Sequence, residues 1–312
     1  MEIGLVGLGR MGGNMVKRLL QGGHSVVVSD RGADAVASSV RDGASGSSDV
    51  ADLVKKLKAP RAVWVMVPAG GATQSVINQL AGLLSKGDIV VDGGNSNFHD
   101  SMRRGEELKR KGVHLVDAGT SGGIWGLKVG YCIMCGGEKE AIERLSPVLT
   151  TLAPPNGWLH TGPVGSGHYV KMVHNGIEYA MMQAYAEGFE LFDASGFGLD
   201  NAKIAALWMQ GSVVRSWLLE LAADALRKNP TFEGIAPFVE DSGEGRWTVI
   251  ESIEKAVPTP AITASVQARF RSRQESSYAA RFLNVVRNEF GGHSVVKRGA
   301  APESPIPPPR TK

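Results

Sequence analysis

Only two cysteines occur in 312 residues, which leaves no material for a disulfide framework. They form a CxxC, Cys132-Ile-Met-Cys135, inside a stretch that reads as a buried strand. Residues i and i+3 of a strand face opposite sides, so the thiols point apart. Two core cysteines are expected rather than a redox pair, and no further ligands stand near them to make a metal site. No apolar run approaches the ~20 residues that span a bilayer. The N-terminus, Met-Glu-Ile-Gly-Leu-Val, has no basic region and enters a strand at once, so no secretion signal is expected and the cytoplasm is the expected location. A net charge of +3, with no Lys/Arg cluster interleaved with aromatics, gives no footprint for nucleic acid.

What is abundant is glycine, 40 residues, and its placement is informative. Ile3–Val6 is a short apolar run, followed by Gly7-Leu8-Gly9-Arg10-Met11-Gly12, a helical stretch to about Leu20, and a second apolar run at Ser25–Val28. Strand, GxGxxG turn, helix and strand together form a dinucleotide-binding unit. Gly7 permits the tight turn, Gly9 lets backbone approach a pyrophosphate, and Gly12 lets helix and strand pack closely, with the helix N-terminus facing the phosphate charge. Asp30 ends the second strand, where an acidic side chain reaches the adenosine ribose and favours NAD. Arg31 beside it could hold the 2′-phosphate of NADP, but the Asp30 carboxylate repels that phosphate.

The alternation continues. Helices are expected over 33–41, 49–58 (capped by Ser48), 73–84 and 100–110, with strands at 62–67, 89–91 and 113–116. Near-continuous apolar strands between helices indicate a parallel sheet covered on both faces, an α/β doubly wound Rossmann-type domain. The loops 68–71, 92–96 and 119–123 then lie beyond the strand C-termini, where ligands bind. After Trp158 the strand pattern stops. Residues 166–290 read as helices broken at Gly196–Gly198, Asn229-Pro230, Ala236-Pro237 and Pro258–Pro260, with Trp208, Trp217, Phe238, Trp247 and Phe270 expected in an all-α core. We thus expect a dinucleotide-binding domain over 1–160, a helical substrate and dimerisation domain over 161–298, and a Pro-rich, disordered tail over 299–312.

One helix, from Gly165 to about Ala194, stands out. Lys171, His174, Asn175, Glu178 and Tyr179 lie at i, i+3, i+4, i+7 and i+8, a single stripe. Val170, Val173, Ile177, Ala180 and Met181 lie on the other side and are apolar enough to pack. A solvent face is usually repetitive Glu and Lys; this one holds one of each reactive type. A nicotinamide cofactor implies hydride transfer, which needs a base for an alcohol proton. Lys171 and His174 are the candidates, a lysine serving only if desolvation lowers its pKa. Glu178 could be an acid. Oxidation followed by decarboxylation needs both, because the enol left by CO2 must be protonated at carbon.

The motifs Gly-Leu-Gly-Arg-Met-Gly (7–12), Asp-Gly-Gly-Asn-Ser (92–96), Ser-Gly-Gly (121–123), Lys-Met-Val-His-Asn-Gly-Ile-Glu-Tyr (171–179) and Phe-Gly-Gly-His (290–293) closely resemble those of the decarboxylating 6-phosphogluconate dehydrogenases, in a short form. The wider β-hydroxyacid dehydrogenase group shares the first, the Ser-Gly-Gly and the Lys171/Asn175 pair. A non-decarboxylating enzyme of the 3-hydroxyisobutyrate type is therefore the rival reading. The resemblance implies that Lys171 takes the proton of the substrate's C3 hydroxyl and that Glu178 protonates what becomes C1 of ribulose 5-phosphate. Asn95, Ser121, Gly122, Gly123, His174, Asn175, Tyr179 and Arg269 would hold substrate. Leu8, Arg10, Met11, Val67 and Asn95 would join the glycines, Asp30 and Arg31 at the cofactor, NAD with NADP possible. Arg287 and His293 would come from a neighbouring subunit of a homo-oligomer. The sequence departs from the pattern at Ser242, where the family has a phosphate-binding lysine; Arg246 is the cation at hand to replace it.

Overall fold

The computed structural model describes residues 1–291 together with 294, 295 and 297. The expected disordered tail and His293 lie outside the described residues. The elements run β1 (Glu2–Val6), α1 (Arg10–Gln21), β2 (Ser25–Ser29), α2 (Ala33–Arg41), β3 (Ser45–Gly46), α3 (Val50–Lys56), β4 (Ala62–Val65), α4 (Gly71–Leu83), β5 (Ile89–Asp92), α5 (Phe98–Lys109) and β6 (His114–Ser121). A short 3₁₀ turn, Gly123–Trp125, leads into α6 (Gly126–Val129), β7 (Cys132–Gly136), α7 (Lys139–Leu152) and β8 (Trp158–Gly162). Helices follow: α8 (Ser166–Asp193), α9 (Asn201–Trp208), α10 (Trp217–Lys228), α11 (Glu244–Glu254), α12 (Pro260–Ser272) and α13 (Tyr278–Gly291).

The eight strands form one sheet in the order β3-β2-β1-β4-β5-β6-β7-β8. All neighbours are parallel except β6 and β7, which run antiparallel. Alternate residues of each strand feed two cores. Ile3, Leu5, Trp64, Ile89 and Val91 enter one, and Val6, Val63, Val65 and Val90 the other. Covering on both faces is why the strands read as unbroken apolar runs. Strand order reverses between β1 and β4, and the crevice at such a switch point is where this class of sheet binds ligands.

Several expectations need correction. The antiparallel pairing of Ser121 with Cys132 and Thr120 with Ile133 extends β6 through residues expected in a loop. Asp49 rather than Ser48 caps α3, its carboxylate accepting from the Asp52 N–H at 2.7 Å. Both cysteines are free and on opposite strand faces, but only Cys135 is in the core; Cys132 is exposed. Burial together with the nearby Asp117 pushes the Cys135 thiol up to about 12, so it stays protonated and inert.

The chain forms two compact units. One comprises Met1–Thr231 with Asp241–Val266; the other comprises Phe232–Glu240 and the residues from Gln267 onward. Within the first, the small helical core is Ala205, Leu219 and Leu226, with Tyr185, Phe189 and Trp208 packed on it. Trp217, Phe238 and Phe270, expected in a helical core, are 46%, 55% and 37% exposed.

At the C-terminal edge of β5 one buried guanidinium ties three segments together. Arg104 on α5, 1% exposed, pairs with the fully buried Asp92 at 2.9 Å. It also donates to Ser96 Oγ (3.1 Å), to Gln74 Oε1 (2.9 Å) and to the Gly70 carbonyl (3.4 Å). The loops 68–71 and 92–96 are thereby fixed against each other. Arg104→Met strands a buried carboxylate. We expect a loss of about 3–5 kcal/mol in urea unfolding; a midpoint near wild type would contradict the pairing.

Candidate active site

The site is built on α8, whose bounds match the sequence expectation, but the helix packs by a different face. Val170, Ile177 and Met181 are 40%, 50% and 37% exposed. The buried side holds Gly167, His168, Lys171, Met172, Asn175, Gly176 and Tyr179. Glycines decide this. A Cβ on Gly119 of β6 would stand 2.4 Å from Lys171 Cβ, and one on Gly167 would stand 2.4 and 2.5 Å from the Met134 and Asp117 carbonyl oxygens. The helix thus lies directly on β6 and β7, closer than side chains on both surfaces permit.

Asp117, fully buried on β6, fixes the entry to α8. Its two carboxylate oxygens accept from the N–H groups of Gly165 (2.6 Å) and His168 (2.7 Å). A helix start leaves such N–H groups unpaired, and an acidic partner also suits the positive end of the helix dipole. Burial pushes the Asp117 carboxyl up, while His168 and the two N–H donors pull it back down.

Lys171 is one turn further, 5% exposed. Its amine has no hydrogen-bond partner among the described residues. Burial lowers its pKa below the ordinary 10.5, opposed by the charges of Glu178, Glu244 and Cys132. The strongest effect therefore favours the neutral amine, the form that can accept a proton.

Lys171 lines a cleft of about 910 Å³ together with Asn95, Ser121, Gly122, Gly123, His174, Asn175 and Glu178. Eight expected site residues, from β6, its following turn, the β5 loop and α8, thus meet in one space. His174 stands 3.5 Å from Ser121 Oγ through Nε2 and 3.0 Å from Asn175 Oδ1 through Nδ1. Glu178, half-buried, lies 3.8 Å from His174 Nδ1. The sequence reading missed the apolar wall of this cleft, including Ile124, Trp125, Trp217 and Leu221. Their signal was weak: exposed aromatics separated by about ninety residues.

Tyr179 is not among the cleft-lining residues. It is buried toward α11, where its hydroxyl accepts from Ser242 N–H at 3.1 Å and lies 3.3 Å from Ser242 Oγ. Arg246 is held by Asp241 at 2.8 Å. In the other unit, Arg269 is buried and donates to the Glu240 carbonyl at 2.7 Å, while Arg287 is exposed on α13.

A second cleft, about 530 Å³, opens at the β1–β4 switch point and is lined by Gly7, Gly9, Asp30, Arg31 and Val67. Its geometry fits a dinucleotide. Gly7 has φ +99°, and a Cβ there would meet the Met66 carbonyl at 2.4 Å; a Cβ on Gly12 would meet the Gly7 carbonyl at 2.0 Å; Gly9 faces open space. No side chain caps α1, so its first N–H groups are free for phosphate. Asp30 is braced by the Leu8 N–H (2.6 Å) and the Gly32 N–H (2.7 Å). Arg10 opens α1 at the surface, and Met11 faces the larger cleft instead. Among the described residues no cluster of His, Cys, Asp or Glu could hold a metal, and no helix is long and apolar enough to cross a membrane.

A glycine-turn nucleotide cleft combined with a cleft centred on a buried lysine defines the class of nucleotide-dependent dehydrogenases with a helical second part. Residues 2–165 match the NAD binding domain of 6-phosphogluconate dehydrogenase, and residues 167–295 match the 6-phosphogluconate dehydrogenase C-terminal domain. The NAD(+)-dependent, decarboxylating enzyme of Haloferax volcanii is 44% identical over 300 residues, covering 96% of this chain and 99% of its own. The enzyme of the same description from Bacillus subtilis is 38% identical and longer, with 87% of this chain matching 61% of it. The solved 6-phosphogluconate dehydrogenase of Plasmodium falciparum superimposes with a TM-score of 0.81 at 28% identity, covering 96% of this chain and 67% of that one. The 3-hydroxyisobutyrate dehydrogenase of Mycobacterium tuberculosis shares the fold, with a TM-score of 0.72 at 20% identity over 92% of this chain and 99% of that one. The chain belongs to the 6-phosphogluconate dehydrogenase family.

Because α8 rests on Gly119, Gly119→Ala should push Lys171 outward. We expect roughly 1–3 kcal/mol of destabilisation and about 100-fold lower kcat/KM. Unfolding and steady-state kinetics check both, and an unchanged kcat/KM would show that the close contact does not aim the lysine.

Proposed function

We propose that the protein oxidatively decarboxylates 6-phosphogluconate to ribulose 5-phosphate and CO2, with NAD preferred over NADP. The observation that carries this reading is Lys171: a buried amine with no hydrogen-bond partner among the described residues, lining one cleft with Glu178. The relatives named above, two of them described as NAD(+)-dependent and decarboxylating, support it.

NAD, when bound in the β1–β4 crevice, supplies the hydride acceptor. Gly7, Gly9 and the first turn of α1 would hold its pyrophosphate, and Asp30 would meet its ribose. Asp30 is kept in place by two backbone donors, and its charge disfavours the extra phosphate of NADP. Lys171 as the amine takes the proton of the substrate C3 hydroxyl. After oxidation the 3-keto acid loses CO2, and Lys171, now an ammonium, stabilises the enolate oxygen left behind. Glu178 then protonates the enolate carbon, which becomes C1 of ribulose 5-phosphate. Asn95, Ser121, Gly122, Gly123, His174 and Asn175 orient the carboxylate and hydroxyls.

Residues 1–160 hold the cofactor and contribute Asn95, Ser121, Gly122 and Gly123 to the substrate site, and 161–298 supply Lys171, Glu178 and the contacts to a second subunit. Arg287 and His293 from that second subunit complete the site.

The test is kcat/KM for 6-phosphogluconate with each cofactor in turn. We expect activity with both and a higher value with NAD; a higher value with NADP would reverse the assignment of Asp30. In Lys171→Met, we expect turnover to fall by about 10²–10⁴-fold with cofactor affinity nearly unchanged; wild-type-like turnover would remove Lys171 as the base. For Glu178→Gln, rapid-quench product analysis should show oxidation outrunning ribulose 5-phosphate formation. Equal rates for the two would argue against its role as acid.

A further inference from the structure

The first turn of α11 packs closely on α8 through a glycine on each helix. A Cβ on Gly245 would stand 2.6 Å from the Tyr179 ring, and one on Gly176 would stand 2.9 Å from Thr248. Thr248 Oγ1 reaches the Met172 carbonyl at 2.9 Å and the Glu244 carbonyl at 2.8 Å. The segment so gripped, Met172–Tyr179, includes most of the reactive stripe.

Into this joint Glu244 brings a side chain that is 2% exposed. Burying a carboxylate is costly unless it is engaged, so its partners are telling. Ser242 Oγ donates to Glu244 Oε2 at 2.5 Å. That uses the only hydroxyl hydrogen of Ser242, so in the 3.3 Å contact with Tyr179 the Ser242 oxygen accepts and the phenol donates. Ser242 N–H donates back to the phenol oxygen at 3.1 Å. The result is a directed chain, Tyr179 O–H to Ser242 O–H to Glu244.

Glu244 also acts electrostatically on Lys171, its charge opposing the effect of burial on the amine. Four elements surround that amine. Its own helix supplies Glu178 and, at i+3, His174, whose Nδ1 is turned to Asn175; α11 supplies Glu244; β7 supplies Cys132. From β6 it meets Gly119, while Asp117 on the same strand is engaged by the first turn of α8. An acid in the first turn of a helix often does no more than suit the helix dipole. Such an acid has no need to be buried, and Glu244 is.

We propose that Glu244 is a positioning residue of the reaction, its charge facing the Lys171 amine across the α8–α11 joint and its oxygen fixing the Tyr179 hydroxyl through Ser242. The proposal rests on the reading of Lys171 as the base. The reaction needs Lys171 first as an amine and then as an ammonium. Burial favours the first form and the two carboxylates the second, so Glu244 keeps the ammonium accessible when charge develops on the substrate.

Two variants separate the charge from the hydrogen bond. Glu244→Gln keeps an oxygen for Ser242 and removes the charge; Ser242→Ala keeps the charge and cuts the chain to Tyr179. Titration of Lys171 by NMR in the full chain, with the resonance assigned by Lys171→Met, should show its pKa lower by about half a unit or more in Glu244→Gln and unmoved in Ser242→Ala. In Ser242→Ala, KM for 6-phosphogluconate should rise about 3–10-fold with kcat little changed. A Lys171 titration that does not move in Glu244→Gln overturns the charge role, and an unchanged KM in Ser242→Ala, a surface position, overturns the link to Tyr179. Wild-type protein inactive on 6-phosphogluconate would refute the proposed function, whereas the titration still decides whether Glu244 faces Lys171.

Discussion

The site hangs on the contact between α8 and the sheet. Asp117 takes two N–H groups at the start of the helix, and Gly119, Gly136 and Gly167 remove every Cβ that would hold the surfaces apart. The consequence is electrostatic. A lysine placed one turn past such an anchor is 5% exposed, so its charge is largely taken out of solvent along with its stem. The pKa of Lys171 falls because of where the helix lies, and the helix lies there because of glycines on both surfaces.

The same edge of the sheet carries the remaining parts. Arg104 and Asp92 lock the β5 loop that bears Asn95 against the loop entering α4. The nucleotide cleft opens two strands away, at the reversal of strand order. Asp30 joins the two turns that follow β1 and β2 through the Leu8 and Gly32 N–H groups, so the residue that selects the ribose also braces the phosphate turn. α11 then supports α8 from behind. A rigid parallel sheet supplies fixed ends, and short loops and one long helix place the reactive groups on them.

Much of this was legible in the sequence. The GxGxxG turn, the bounds of α2 and α8, and the cleft residues Lys171, His174, Asn175 and Glu178 follow from local spacing, whereas Asn95, Ser121, Gly122 and Gly123 follow from the resemblance of their motifs. What failed depends on contacts that spacing does not carry. Periodicity revealed two faces of α8 but not which one packs, and the apolar face was the wrong choice; Gly167 and Gly176 on the polar side were the overlooked signal, since glycine inside a helix marks close approach. The end of β6 is set by its antiparallel partner β7, distant in the register of turns and loops. Trp217 and Phe238 read as core because an isolated sequence does not say which aromatic surfaces await a partner. Glu244 carries no sequence signal, and only its burial and its hydrogen bond from Ser242 distinguish it.

The central claim is that one buried lysine serves oxidation and decarboxylation in a single cleft. The most direct measurement is the simultaneous yield of NADH and CO2 when the protein is given 6-phosphogluconate and NAD. One CO2 for each NADH is the expected result. NADH formed without CO2 would contradict the account and mark a dehydrogenase of the 3-hydroxyisobutyrate type.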